Sequence, residues 1–192
     1  VTVSVLYCCV GHKNRANMGI FSSKEKLHII TCGLDNGGKS TIINALKPTQ
    51  LRNDNISATV GYTVEEFEKG KVSFTVFDMG GAKQFRQSWQ GYYKNVQGVI
   101  FVIDSTDKLR LVLVREEIRM LIEHDDLRGV PILFFANKAD LPGAKTPQEL
   151  TDELGLSEMI VDRPYNIFAS DARRGHGLEE GINWLTNRLV KS

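Results

Sequence analysis

The chain has 192 residues, a length that suits one globular domain and would crowd two. Its 24 basic and 23 acidic side chains leave a formal charge of +1, so no net field draws it to nucleic acid. Three cysteines are too few for a disulfide framework, and no apolar run approaches the roughly 18 residues of a membrane span. We therefore expect a monomeric cytoplasmic protein that does not bind nucleic acid.

The start of the chain places an apolar run before a charged stretch, in the reverse order to a signal peptide. We interpret residues 1–17 as sequence upstream of the true start or as a non-native extension. A palmitoylated pair, Cys8 and Cys9, is the alternative interpretation.

Met18 opens the stretch MGIFSS, which fits the M-G-x-x-x-[ST] pattern of N-myristoylation. We therefore expect Met18 to be the initiator and Gly19 to carry the acyl group. Residues 18–26 would then form a membrane-targeting segment ahead of a globular domain at 27–192. One myristoyl chain gives only marginal, reversible membrane attachment.

Hydrophobic periodicity then predicts buried strands that alternate with amphipathic helices. Strands are expected over residues 27–31, 62–68, 72–77, 99–103 and 132–136, and over a segment that ends at 167–169. Helices are expected over residues 40–46, 109–122, 148–154 and 178–189. This order predicts an α/β domain with a mainly parallel sheet, whose ligands bind at the carboxyl ends of the strands.

The segment GLDNGGKS at residues 33–40 matches G-x-x-x-x-G-K-[ST] between a strand and a helix, and we call it the phosphate loop. Its glycines let backbone N–H groups surround a phosphate, and the helix N-terminus favours an anion. Lys39 is expected to reach the β and γ phosphates and Ser40 to coordinate Mg²⁺. The predicted phosphate-binding residues are Leu34, Asp35, Asn36, Gly37, Gly38, Lys39, Ser40 and Thr41.

The segment Asn137-Lys138-Ala139-Asp140 follows the apolar run ILFFA, so it also lies at the carboxyl end of a predicted strand. The Asp140 carboxylate can accept two hydrogen bonds from guanine, at N1–H and at the exocyclic amine. Adenine has no such pair of donors, and a buried unpaired carboxylate is costly. We therefore expect Asn137, Lys138 and Asp140 to select guanine, which argues against an ATP-using P-loop kinase.

The segment Asp78-Met79-Gly80-Gly81 ends a third predicted strand and has the form D-x-x-G. Asp78 is expected to hold the Mg²⁺ shell through water, and the Gly81 N–H to meet the γ-phosphate. Thr59 is the candidate second hydroxyl ligand of Mg²⁺, after Ser40. Thr63 is its competitor, although it lies inside a predicted strand.

These motifs together resemble those of a small GTPase of the ADP-ribosylation factor and factor-like group. The resemblance covers residues 24–190 and includes ATVGYTVE, REEIRML and GLEEGINWL. The GLD start of the phosphate loop and the GG after Asp78 separate this group from Ras-like and Rab-like proteins. TIINALKP and ASDARRGHGL are most similar to its ciliary branch, which recruits the BBSome coat. The resemblance implies the P-loop NTPase fold, with a mainly parallel six-stranded sheet flanked by helices.

The resemblance also implies residue roles. Thr59 becomes the switch I threonine, which binds Mg²⁺ only beside a γ-phosphate, and residues 79–92 become switch II. Ala169 and Ser170 match the loop whose backbone N–H groups contact guanine. An effector-facing aromatic cluster matches Tyr62, Phe77 and Tyr92. Core packing is an equal alternative for Phe77.

The implied function is a GTP-binding switch with GTP or GDP and Mg²⁺ as ligands. Its partners would be an exchange factor, a GTPase-activating protein and a GTP-dependent effector or coat. It would sit peripherally on membranes, at the base of a cilium or flagellum, in protein transport. An Arf-type GTPase of general vesicle trafficking is the alternative.

Ala82 departs from the group, which has a glutamine directly after D-x-G-G to orient the attacking water. Alanine has no polar atom for this task, and Gln84 is expected to be aimed elsewhere, so we assign no catalytic residue. Two hypotheses stay open: a GTP hydrolase of weak intrinsic activity, and a nearly non-hydrolysing GTP-binding module.

Overall fold

The computed structural model describes residues 25–69 and 72–190. The predicted extension at 1–17, the acylation site at Gly19 and the turn residue Gly70 lie outside the described residues. The first described residues, Glu25 and Lys26, already belong to a strand.

Six strands form one sheet in the order β2-β3-β1-β4-β5-β6. β2 runs antiparallel to β3, and the other neighbours are parallel, so the predicted mainly parallel six-stranded sheet is confirmed. The strands are β1 (Glu25–Cys32), β2 (Tyr62–Lys69), β3 (Val72–Met79), β4 (Gly98–Asp104), β5 (Ile132–Asn137) and β6 (Tyr165–Ser170).

Helices cover the two faces of this sheet. They are α1 (Lys39–Leu46), α2 (Lys83–Arg86), α3 (Leu111–Ile122), α4 (Pro147–Leu154), α5 (Leu156–Met159) and α6 (Leu178–Leu189). Short 3-10 turns lie at Thr49–Leu51, Trp89–Tyr92, Lys108–Arg110 and Asp125–Leu127. The short helices α2 and α5 were not expected, because four residues are too few to show a helical period.

The two hydrophobic clusters of the core explain the uninterrupted apolar runs VIFVI and ILFFA. Successive side chains of a strand point to opposite faces. Phe101 and Phe134 accordingly lie in the cluster on one face, with α3 and α4, while Val102 and Phe135 lie in the other, with α1 and α6. Both faces of the central strands are therefore dry, as in other parallel sheets.

The spacing of apolar residues predicted too early a start for the helix between β4 and β5. Leu109 was expected on its apolar face, but it lies in the preceding 3-10 turn and is 95% exposed. The helix begins at Leu111, and its buried face is formed by Leu111, Val114, Ile118 and Leu121. None of the helices within the described ranges is both long enough and apolar enough to cross a membrane.

Candidate nucleotide-binding site

A cavity of about 660 Å³ opens at the carboxyl ends of the parallel strands, where the sequence predicted a ligand. Many of the predicted site residues line it: Asp35, Asn36, Gly38, Lys39, Ser40, Thr41, Thr59, Gly81, Asn137, Lys138 and Asp140. The parallel sheet explains this convergence, because its strands end at one edge although the motifs are far apart in the chain.

The phosphate loop needs glycine where other segments approach it closely. Gly38 has a φ of 92°, and a Cβ there would lie 2.4 Å from Asn137 Nδ2. Leu34 and Gly37 are buried and lie outside the lining of the cavity. Their carbonyls hold the loop, since Leu34 O accepts from Lys39 Nζ at 2.9 Å and Gly37 O accepts from Asn137.

Lys39 and Asp78 are charged groups that the fold buries at the base of the cavity. Burial lowers the pKa of Lys39 from its ordinary value, and the nearby Asp78 carboxylate opposes that shift. Burial raises the pKa of Asp78, and the hydrogen bond from Ser40 and the charge of Lys39 oppose the rise. The protein therefore holds a partly compensated pair of opposite charges where a phosphate and a cation would bind.

Three side-chain oxygens converge beside Lys39. Ser40 Oγ donates to Asp78 Oδ2 at 2.5 Å and lies 2.9 Å from Thr59 Oγ1, which is 3.2 Å from the same carboxylate oxygen. Asp78 Oδ1 is buried and has no hydrogen-bond partner among the described residues. Hydroxyl and carboxylate oxygens are hard ligands of the kind Mg²⁺ prefers, so this arrangement fits the ion. Thr63 is exposed on β2, so the geometry favours Thr59 over it.

The two predicted switch segments touch each other at Gly80. Its N–H donates to Gly61 O at 2.8 Å, and a Cβ on Gly80 would lie 2.9 Å from Thr59 O. Gly81 packs equally closely on the phosphate loop, where a Cβ would lie 2.5 Å from Lys39 Nζ. Binding or loss of a terminal phosphate would therefore change the contacts of both predicted switch segments.

The Asn137 side chain braces the site from inside the protein. Its Nδ2 donates to Gly37 O at 2.8 Å, and its Oδ1 accepts from Ala172 N at 3.1 Å and from Ser170 Oγ at 3.3 Å. Lys138, at a φ of 64°, extends to Asp104, where Nζ and Oδ2 are 2.5 Å apart. Asp104 was not predicted from the sequence as a site residue, although it too ends a strand at the ligand edge.

Asp140 lines the cavity and faces the loop after β6, which we call the base loop (residues 171–176). Arg174 Nη1 lies 3.8 Å from Asp140 Oδ2 and 3.4 Å from Asp171 Oδ2. Asp171 is buried, and its Oδ1 accepts from the backbone N–H groups of Arg173 and Arg174. The Asp171 side chain thus folds the base loop back toward Asp140.

The two residues predicted for the guanine-contacting loop, Ala169 and Ser170, end the strand β6. Ala169 and Ser170 do not line the cavity; Asp171, Ala172 and Arg173 do. β6 continues through Ser170, which pairs with Asn137, so Ala169 and Ser170 still form part of the sheet. On this side the lining of the cavity therefore begins at Asp171, the first residue after the strand.

The expected aromatic cluster (Tyr62, Phe77 and Tyr92) exists in the structure. The ring centroids of Tyr62 and Tyr92 are 4.5 Å apart, and those of Phe77 and Tyr92 are 6.0 Å apart. Tyr62 is 45% exposed, whereas Phe77 and Tyr92 are half-buried against the core. Phe77 therefore packs on the core, as its alternative interpretation expected, and also lies beside the ring of Tyr92.

Ala82 lines the cavity and is the residue directly before α2. Gln84 is exposed on α2 and does not line the cavity. Two unforeseen contacts hold this segment: Trp89 Nε1 donates to Gly80 O at 3.1 Å, and Arg86 forms a buried ion pair with Glu117 of α3. Each of these two contacts joins residues from different elements, so a local sequence pattern could not predict them.

The phosphate loop, the oxygen cluster and the Asn137–Asp140 segment define a P-loop nucleotide-binding protein of the small-GTPase class. The family model described as "ADP-ribosylation factor family" matches residues 14–189. The chain therefore belongs to the ADP-ribosylation factor family, as the sequence motifs indicated, and is a GTP-binding switch of the Arf/Arl type.

Individual relatives support this placement. The chain is 46% identical over 168 residues to ADP-ribosylation factor-like protein 6 of Danio rerio, covering 86% of this chain and 90% of that protein. It is 40% identical over 184 residues to the protein of the same name from Caenorhabditis elegans, with coverages of 91% and 96%.

A solved structure is also similar. It is the Arl6 BBS3 small GTPase from Trypanosoma brucei with the bound nucleotide analogue GppNp, at a TM-score of 0.82 and 52% identity. The match covers 86% of this chain and 98% of that one. The similarity therefore includes the sheet, the flanking helices and the motifs at the ligand edge.

Proposed function

We propose that the GTP-bound form of this protein recruits an effector or coat, of the BBSome kind, to a membrane in ciliary transport. The observation that carries the proposal is the position of Thr59. Its hydroxyl reaches the Ser40–Asp78 oxygen cluster, while its carbonyl lies against Gly80. One residue therefore connects the metal-binding position to both switch segments.

The surface next to this connection suits a protein partner. Tyr62 follows Thr59 by three residues and opens the edge strand β2. Val64 is 46% exposed and lies on the same strand face as Tyr62, and Val60, just before β2, is 80% exposed. Exposed apolar side chains grouped in this way mark interaction sites. An effector that binds them would sense where Thr59 lies.

Within this proposal, Ser40, Thr59 and Asp78 would hold Mg²⁺. When bound, the ion would supply positive charge that neutralises the terminal phosphates. Lys39 adds a charge-assisted contact to the same phosphates. Asp140 would bind the guanine edge, because it follows β5, which lies across the sheet from the oxygen cluster's strand, β3.

A nearly non-hydrolysing GTP-binding module is the second candidate function. Ala82 favours it, because this residue lines the cavity and offers no polar atom to a water molecule. The exposed Gln84 does not replace it. Such a module would be controlled by nucleotide exchange, localisation or synthesis, and a single-turnover hydrolysis rate separates the two candidates.

Membrane attachment is proposed through a myristoyl group on Gly19, assisted by Lys24 and Lys26. The support is the sequence pattern after Met18. Intact-mass measurement of protein made in a eukaryotic cell tests it: acylated wild type and unmodified Gly19→Ala are expected. A mass that shows translation from upstream of Met18 would contradict the proposal.

The recruiting function is tested by affinity purification from ciliated cells with protein loaded with a GTP analogue or with GDP. A coat or effector retained only by the GTP-analogue form is expected. Lys39→Ala should abolish nucleotide loading and this selectivity together, because it removes the phosphate contact. Identical sets of bound proteins in the two nucleotide states would refute the recruiting function.

A further inference from the structure

Asp35 puts a carboxylate in the phosphate loop, where a negative charge repels the phosphates of a ligand. The structure places it close to the switch segments. A Cβ on Gly81 would lie 2.3 Å from Asp35 N, so the two segments touch at this residue. Asp35 also lines the cavity. Asp35 therefore belongs to the end of the cavity that is predicted to hold the phosphates.

Arg110 holds this aspartate by two contacts. Its Nη1 donates to Asp35 Oδ1 at 2.9 Å, and its Nη2 donates to the Asp35 backbone oxygen at 3.3 Å. The third guanidinium nitrogen, Nε, donates to Asp107 Oδ2 at 2.5 Å. The guanidinium thus lies between two carboxylates, and its planar fork sets the orientation of both.

Hydrogen bonds of Asp104, at the end of β4, hold the turn that leads to Arg110. Asp104 Oδ1 accepts from the Thr106 N–H at 3.0 Å and from the Thr106 hydroxyl at 2.6 Å. Asp104 Oδ2 contacts Lys138 Nζ. This turn leads directly to Asp107 and Arg110, so the arginine is anchored to the segment predicted to select guanine.

We propose that Arg110 is a positioning residue that neutralises the Asp35 carboxylate and makes the phosphate loop tolerant of a nucleoside triphosphate. The inference rests on the proposed nucleotide site and assigns a regulator of its preference for GTP over GDP. A released Asp35 charge acts most strongly on the ligand with the additional phosphate. Loss of Arg110 should therefore weaken GTP binding more than GDP binding.

The pair is partly exposed, with side chains 33% accessible for Arg110 and 56% for Asp35, so solvent and salt will screen the effect. For Arg110→Ala at low salt, we expect release of a non-hydrolysable GTP analogue to be roughly tenfold faster, and GDP release to change less than about threefold. High salt should reduce the difference between the two nucleotides.

The experiment measures dissociation of fluorescent GDP and of a fluorescent non-hydrolysable GTP analogue from the full chain. The variants are Arg110→Ala, Asp35→Asn and the double variant. In the double variant the GTP preference should return, because no uncompensated charge remains in the phosphate loop. Arg119→Ala is the matched control: it removes an ion-paired arginine of α3 that contacts Glu116 and Glu123 instead.

A purely structural role for Arg110 predicts another result. It would weaken both nucleotides equally, and Asp35→Asn would not rescue, since the contact to the backbone oxygen would still be missing; either outcome overturns the inference. Arg110→Gln, which keeps hydrogen-bond donors without the charge, provides the same comparison if the alanine variant does not fold. Wild-type protein that binds neither nucleotide would instead refute the proposed function.

Discussion

The side-chain amide of Asn137 donates to the Gly37 carbonyl at 2.8 Å and so joins the end of β5 to the phosphate loop. The carbonyl oxygen of the same amide accepts from Ala172 N at the start of the base loop. One buried side chain therefore sets the distance between the part of the site that faces phosphates and the part that faces the base.

Asn137→Ala should destabilise the protein and weaken nucleotide binding without changing base preference. It leaves Gly37 O and Ala172 N without partners in a buried environment, where each unpaired group costs about 1–3 kcal/mol. Chemical denaturation of the nucleotide-free protein measures the stability, and displacement of labelled GDP measures the affinity. Asn187→Ala, an exposed change on α6, is the control. Unchanged stability in Asn137→Ala would contradict the bracing role.

Asp140→Asn should shift preference from guanine toward xanthine nucleotides. The carboxylate accepts from N1–H and the exocyclic amine of guanine, whereas an amide can donate to the additional carbonyl of xanthine. Competition of GDP, XDP and ADP for the purified protein measures this preference. Asp152→Asn on the outer side of α4 should retain guanine preference. A variant at position 140 that still prefers GDP over XDP would remove Asp140 from base recognition.

Thr59→Ala should reduce affinity for a GTP analogue with Mg²⁺ and leave GDP affinity nearly unchanged. The hydroxyl contributes one of the three converging oxygens, and in the proposed cycle it is used only with the triphosphate. A loss of roughly tenfold is expected for one hydrogen-bonding group at a charged site. Thr63→Ala is the matched control, because it removes an exposed hydroxyl of the competing threonine. Equal effects of the two variants would show that Thr59 is not the metal-binding threonine.

Ala82→Gln should raise single-turnover GTP hydrolysis, most clearly in cell extract that supplies an activating protein. One preorganised hydrogen-bonding group at such a site contributes roughly 10² to 10³ in rate. Nucleotide affinity should stay nearly constant, because the alanine side chain of the wild type has no polar atom that could contact the phosphates. Gln84→Ala is measured in parallel. Brisk wild-type hydrolysis that collapses in Gln84→Ala would show that Gln84 is the catalytic glutamine.

Tyr62→Ala and Phe77→Ala should separate effector binding from core packing. Tyr62 is exposed, so its loss should reduce capture of the GTP-dependent partner with little change in stability. Phe77 packs against the core as well, and its truncation should cost up to about 3 kcal/mol of unfolding free energy. Thermal unfolding and partner capture are measured on the same samples. Full partner capture by Tyr62→Ala would exclude the aromatic cluster from the docking surface.

Much of the fold could be predicted from local sequence. The runs VIFVI and ILFFA are apolar throughout because both faces of β4 and β5 are covered, and this pattern is visible without coordinates. The phosphate loop was also predictable, since glycines, lysine and serine at fixed spacing between a strand and a helix have a chemical reason. The parallel order of strands then required the motifs to meet at one edge.

Local sequence was weaker where an element ends. Leu109 continues the apolar pattern of the helix α3, but it lies in the 3-10 turn before that helix. The sixth strand was predicted to end at Ala169, and it ends at Ser170. Hydrophobic periodicity does not report backbone pairing such as that of Ser170 with Asn137, and this pairing decides where β6 stops.

The sequence by itself determined the nucleotide class, because the phosphate loop and the Asn137–Asp140 segment each contain their own chemistry. Only the tertiary structure decided how those segments are braced. Arg110 and Asp35 are 75 residues apart, and Asn137 and Gly37 are 100 apart. Contacts at such separations depend on the order of strands in the sheet and on the loops that leave it. No periodicity within one segment encodes them, so they became visible only when β1, β4 and β5 were placed side by side.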